Sequence, residues 1–184
     1  MAGQMRTSVD IDAGPELVWA VLTDVRAYPE WTPLILSAEG TFAPDGGLSF
    51  TFPPFSSLLR STVPGRVLEV TPLRRLRYVL RFGRWGIPGL LDSEHMLTIE
   101  SRDGGVRLWM ELRFWGLLLP VMTRSLNRER APAFGPMPAT LKARIEGMRA
   151  EGQSASGTST GISGPSLAPW SSSRSSPDQK LPGS

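Results

Sequence analysis

Arg75-Leu76-Arg77-Tyr78-Val79-Leu80-Arg81-Phe82 is the stretch on which the fold turns. Leu76, Tyr78, Leu80 and Phe82 fall on one side of an extended chain, and Arg75, Arg77 and Arg81 on the other. Side chains of a strand alternate between faces, so this period of two predicts a strand with one buried and one solvated face. The same pattern continues downstream. Residues 92–101 put His95, Leu97 and Ile99 opposite Glu94, Met96, Thr98 and Glu100. Asp103-Gly104-Gly105 predicts a hairpin turn. Val106, Leu108, Met110, Leu112 and Phe114 then alternate with Arg107, Trp109, Glu111 and Arg113.

Upstream, residues 66–70 predict another strand, closed by Pro72. Leu48, Phe50 and Phe52 alternate with Ser49 and Thr51, and Pro53-Pro54 stops that strand. Residues 34–42 predict a further strand, ended by Pro44-Asp45-Gly46-Gly47. Near the N-terminus, residues 6–12 alternate and read as a half-buried strand. Pro15 suits the first turn of a helix, and Glu16 suits its positive end. Val18, Val21, Leu22 and Val25 give that helix an apolar face. Pro29 and Pro33 bracket a short second turn around Trp31.

The last apolar periodicity is helical: Phe134, Met137, Leu141, Ile145 and Met148 step by three or four. Pro132, Pro136 and Pro138 lie among them. A proline inside a helix costs about 3 kcal/mol. The expectation is therefore two helices, near 120–130 and 139–149, split or kinked by the prolines. The order predicts an α+β domain. A curved antiparallel sheet of six or seven strands wraps around a long C-terminal helix, with two short helices after the first strand.

Composition bounds the chemistry. The 184 residues include no cysteine and one histidine. Disulfides, thiolate nucleophiles and two-histidine metal sites are excluded. Asp92 and Glu94 flank the His95 region, but His95 and its neighbour Glu94 point to different faces of the strand, so no metal site is expected. No cofactor is expected either: Gly83, Gly86 and Gly89 lack the dinucleotide spacing, and no phosphate-binding loop is present. The longest apolar run, residues 114–122, falls short of the roughly 20 residues a membrane span needs. With no apolar leader at the start, a cytoplasmic location is expected. The net charge is +3. The arginines at 75, 77 and 81 predict a solvated face, not a nucleic-acid surface.

Residues 1–150 are expected to form the domain. Residues 151–184 are rich in Ser, Gly and Pro, and their large apolar residues follow no period. Such a segment buries too little to offset its ordering entropy, so a disordered tail is expected there.

Val9-Asp10-Ile11-Asp12-Ala13-Gly14-Pro15-Glu16-Leu17-Val18-Trp19, then Tyr28-Pro29-Glu30-Trp31-Thr32-Pro33, resembles the opening of the START/Bet v 1-like (SRPBCC) superfamily. Its polyketide cyclase/dehydrase-like lipid-transport branch is the most similar. Glu94-His95-Met96-Leu97-Thr98-Ile99-Glu100 with Gly104-Gly105-Val106-Arg107-Leu108 resembles that branch's penultimate hairpin. Arg113-Phe114-Trp115-Gly116-Leu117 leading to Leu126-Asn127-Arg128-Glu129 resembles its lead into the last helix. The resemblance spans roughly residues 5–148 and implies a helix-grip fold with a cavity between sheet and helix.

The inward positions are then the candidate lining of that cavity. From the strands these are Phe50, Phe52, Tyr78, Leu80, Phe82, His95, Leu97, Leu108, Met110 and Leu112. From the helical segments they are Trp31, Phe134, Met137 and Leu141. His95 and Tyr78 are the candidate catalytic groups, able to move a proton or donate a hydroxyl. Three functions fit. The first is non-catalytic binding or carriage of a small hydrophobic molecule such as a lipid, isoprenoid or polyketide. The second is an aromatase/cyclase-like enzyme acting on a polyketide-type substrate. The third is an interaction protein with a filled core and no ligand.

Overall fold

A computed structural model describes residues 3–32, 34–53, 61–83, 87–120 and 135–157. The first strand, β1 (Gly3–Ile11), leads into α1 (Pro15–Thr23), a 3-10 turn (Val25–Ala27) and the single-turn α2 (Tyr28–Trp31). Six strands follow: β2 (Ser37–Gly40), β3 (Gly47–Thr51), β4 (Thr62–Thr71), β5 (Arg75–Arg81), β6 (Asp92–Arg102) and β7 (Gly105–Trp115). The C-terminal helix α3 covers Met137–Gly157. All seven strands form one antiparallel sheet in the order β1-β7-β6-β5-β4-β3-β2. This is the helix-grip arrangement that the alternation and the resemblance predicted.

The alternation sets the faces. On β5 the side chains of Leu76, Tyr78 and Leu80 are buried. On the opposite face Arg77 bonds Glu94 of β6, with Nε donating to Oε1 at 3.0 Å. Arg77 also reaches Glu69 of β4 at 3.4 Å. Glu69 stands there because β4 bulges between Val67 and Glu69. The bulge leaves Leu68 half exposed and adds local twist, which curves the sheet around the helix.

Two strands differ from expectation. Residues 34–42 predicted one strand, but only Ser37–Gly40 pairs. The preceding residues make the corner from α2: Ile35 N bonds Thr32 O and Leu36 N bonds Thr51 O. At the other end Gly40 takes φ 111°, where a side chain would collide with the Gly47 carbonyl. The strand expected at 66–70 is longer, Thr62–Thr71, and includes Pro64. Pro64 lies outside the stretch that pairs with β5, so its missing N–H interrupts no bond to that strand.

The C-terminal helix begins at Met137, two residues before the expected second helix, and the expected split before it lies largely outside the described residues. Pro136 immediately precedes it and Pro138 lies in its first turn. Pro138 is its second residue, where a backbone N–H has no intrahelical acceptor anyway. The Pro136 carbonyl accepts from both Ala139 N and Thr140 N at 3.0 Å. The helix then runs unbroken, with Leu141 and Ile145 fully buried. Met148, expected on the same face, is 41% exposed. Pro132, Phe134 and nearly all of the helix expected at 120–130 lie outside the described residues.

The helix also continues beyond the expected domain end at 150, to Gly157. Extending a formed helix needs no new nucleus, so polar residues follow the buried turns at little cost. The Ser154 hydroxyl bonds the Ala150 carbonyl at 3.0 Å in this extension. The rest of the expected tail, residues 158–184, lies outside the described residues.

Polar bonds fix the helix on the sheet. Glu146 Oε1 accepts the Asp12 amide at 2.9 Å. Lys142 donates to the Asp10 carbonyl. Arg144 pairs with Glu30 at 2.6 Å. Thr140 Oγ1 donates to the Trp31 carbonyl at 2.8 Å, tying the start of α3 to α2. No helix among the described residues is long and apolar enough to cross a membrane.

Candidate functional site

Tyr78 of β5 and His95 of β6 are direct cross-strand partners. Both point to the concave face, so their rings meet there. They stack at 4.7 Å between centroids with 5° between planes. Tyr28 and Trp31 of α2 come over the same spot, their own rings 4.7 Å apart. From the sheet edge, Met5 and Thr7 of β1 lie in register with Leu112 and Met110 of β7. Met137 and Pro138 bring the start of α3 above them. These residues, with Leu22 and Leu97, enclose a cavity of about 160 Å³.

A second space of about 30 Å³ lies deeper, among Phe50, Phe52, Leu80, Phe82, Ser93 and Phe114. Tyr28, Tyr78, His95 and Met137 line both spaces. The stacked Tyr78–His95 pair is thus part of the wall between them.

Polar groups in the wall are few and held. The Tyr28 hydroxyl donates to the Leu22 carbonyl at 2.9 Å. Burial is the main reason its proton is held well above the usual tyrosine range, with the neighbouring Tyr78 adding to the effect. Burial raises Tyr78 likewise, opposed in part by its hydrogen bond with Tyr28. Both phenols stay neutral near pH 7, so they serve as hydroxyl groups and not as phenolate bases. His95 Nε2 and the buried Ser93 hydroxyl are 3.1 Å apart. The wall therefore presents flat aromatic faces, neutral hydroxyls and one imidazole, with the paired Arg6 and Glu111 also among the lining residues at the β1–β7 edge. Among the described residues no group of three His, Asp or Glu could hold a metal ion. Glu94 is turned away toward Arg77, and buried Asp92 accepts the Gly89 amide at 2.8 Å.

The expected lining residues divide accordingly. Trp31, Tyr78, His95, Leu97, Met110, Leu112 and Met137 are around the larger cavity. Phe50, Phe52, Leu80 and Phe82 are around the smaller one. Leu108 and Leu141 line neither; both are fully buried in solid core nearer the other end of the strands. Phe134 is outside the described residues. The pattern missed Tyr28, Met5 and Thr7, and also Leu22 and Pro138. Tyr28 precedes Pro29 in a segment with no period to assign it a side. Met5 and Thr7 are inward positions of β1, but both are exposed enough to leave no apolar stripe.

The chain matches a family model described as polyketide cyclase / dehydrase and lipid transport over residues 2–150. No protein among those with curated descriptions matches its sequence. Among solved structures, the Zhui aromatase/cyclase from Streptomyces sp. R1128 is 14% identical, with a TM-score of 0.58 over 79% of this chain and 94% of that one. The di-domain aromatase/cyclase StfQ of the steffimycin biosynthetic pathway gives a TM-score of 0.62 at 13% identity, over 82% of this chain and 52% of StfQ. Norcoclaurine synthase from Thalictrum flavum is 9% identical, with a TM-score of 0.56 over 79% of this chain and 87% of that one. At such identities the likeness is one of fold.

Proposed function

Because the chain belongs to the polyketide cyclase/dehydrase and lipid-transport family, we propose that it binds a small hydrophobic molecule in the cavity between sheet and C-terminal helix. The observation that carries this reading is the 160 Å³ space under α3, walled by Trp31, Tyr28, Tyr78, Leu97, Leu112 and Met137. Burying apolar ligand surface there contributes about 25 cal/mol per Å² before association costs. Size narrows the occupant. An engineered apolar cavity of about 150 Å³ holds benzene, whereas pockets for drug-sized ligands run to about 300–1,000 Å³. The cavity as it stands takes one ring or a short aliphatic segment. A longer lipid or polyketide must displace flexible side chains, and Met5, Met110 and Met137 on the wall suit that. Titration with a fluorescent fatty acid and an isoprenoid panel tests the reading. Saturable binding that a bulky residue at Leu97 abolishes supports it; no binding by any member sinks it.

The stacked Tyr78–His95 pair favours a second reading, an aromatase/cyclase-like enzyme on a polyketide-type substrate. The imidazole would move the proton and the Tyr78 hydroxyl would orient a substrate oxygen. His95→Ala should then cut turnover of a poly-β-keto substrate analogue by about 100-fold or more, the usual range for losing a general acid–base group. Unchanged turnover removes His95 from any such role.

A further inference from the structure

The smaller space has no part in the reading above. It lies among Phe52, Phe82 and Phe114, with Ile35 at its border. No Asp, Glu, Lys or Arg is among the described residues that line it. Thr32 and Ser93 also border it, but both are at most 1% exposed, so they give it almost no hydroxyl surface. A single water-sized sphere needs about 10–15 Å³. At about 30 Å³ the space therefore holds about two heavy atoms. A ring is too large for it, and a methyl or ethyl end is not.

Four residues border both spaces: Tyr28, Tyr78, His95 and Met137. Three of them are tethered. The Tyr28 hydroxyl donates to the Leu22 carbonyl at 2.9 Å. Tyr78 stacks on His95 at 4.7 Å, and His95 lies 3.1 Å from the Ser93 hydroxyl. Met137 differs. It is half-buried at the first position of α3, and its unbranched side chain turns about three bonds. Of the four, it alone can step aside while the ring contacts stay in place.

We propose that the smaller space is the end pocket of the same binding site. It takes the tip of a slim apolar tail, and the thicker part of the ligand, one ring across, fills the larger space. The tail passes beside Met137, whose side chain turns aside. This rests on the binding reading above and goes further by stating the ligand's shape: a ring carrying an unbranched apolar tail, in preference to a bare ring. Walls already held in place by their own contacts select that shape at little ordering cost.

The 4-alkylphenols make the test, because from 4-methylphenol to 4-hexylphenol only the tail changes. Each is titrated calorimetrically into the full chain and its Phe114→Leu variant. In the unaltered protein the dissociation constant should fall about fourfold per added carbon, the usual gain for burying a methylene, and stop falling once the smaller space is full. Phe114 lines the smaller space and not the larger, so Phe114→Leu enlarges only the end pocket. The levelling-off should then come about one carbon later. Isotope-filtered NOEs on the unaltered protein give a second readout that needs no variant, so misfolding of Phe114→Leu leaves the inference testable. The tail methyl should contact Phe114 and Ile35, and the phenol ring should contact Leu97. If the tail methyl contacts neither Phe114 nor Ile35, or a folded Phe114→Leu leaves the levelling-off unmoved, the end pocket falls and binding in the larger space stands. If no member of the series binds, the cavity reading falls with it.

Discussion

The space beneath α3 is solid at one end and hollow at the other. At the solid end Ile11, Val18, Leu108, Leu141 and Ile145 are each no more than 2% exposed and leave no cavity that they line. At the hollow end, a few residues along the same strands, Trp31, Tyr78, His95, Met110 and Leu112 surround 160 Å³. The difference lies in side-chain shape and polarity. Branched aliphatic side chains interlock at crystal-like density. Flat rings tethered by polar bonds cannot swing in to close a gap. The Tyr28 hydroxyl must stay at the Leu22 carbonyl, and Tyr78 must stay stacked on His95. The polar satisfaction that holds the rings in place also keeps the space open.

Truncation gives the largest expected contrast. Leu108→Ala should cost about 3–5 kcal/mol, because solid core cannot collapse around the deletion. Leu112→Ala should sit near 2 kcal/mol, since one side of Leu112 already faces a void. Chemical denaturation of both variants checks this, and equal losses would erase the distinction between the two ends. Enlargement should invert the order. Leu97→Phe fills part of the cavity, with expected stability within about 1 kcal/mol of the parent and a loss of probe binding. Leu108→Phe overpacks and should cost about 1–3 kcal/mol. A destabilised Leu97→Phe protein that still binds the probe would show that the space is not the ligand's.

The smallest expected effect concerns how the helix is held over both ends. The Asp12 amide, then Lys142, hold the Glu146 carboxyl below its ordinary value of 4.5. A lowered folded-state value means that the stability is present above the ordinary value and is lost as pH falls through the lowered one. Glu146→Gln should therefore lower the melting temperature by about 1–2 °C at pH 7. The gap should close as pH drops below 4.5, which paired thermal melts across that range would show. A gap that stays constant with pH would mean that the carboxylate charge contributes nothing.

Legibility followed periodicity. The alternation of Leu76, Tyr78 and Leu80, and that of Val106 through Phe114, was enough to place the concave face, and the register confirms each inward residue. Trp31, Tyr78, His95 and Met137 were readable as cavity candidates because each sat on a patterned face or a turn it visibly anchored. Tyr28 was not, because it belongs to a single helical turn where neither period applies. Leu108 and Leu141 had the same pattern as true lining residues. Whether an inward side chain meets a neighbour or a void depends on the opposing element, which periodicity does not encode. The prolines mark where the last helix begins, and the Pro136 carbonyl, accepting from Ala139 and Thr140, shows how its first turn is closed.

The amino-acid order by itself determined the strand faces, the α+β order and the exclusion of thiol and two-histidine chemistry. Those follow from local geometry and residue counts, which need no partner. Tertiary structure alone decided that the core is hollow at one end, that Tyr78 stacks on His95, and that the Trp31 indole is buried without an acceptor. Each of these depends on where two distant segments meet, and only closure of the sheet around α3 brings those segments together.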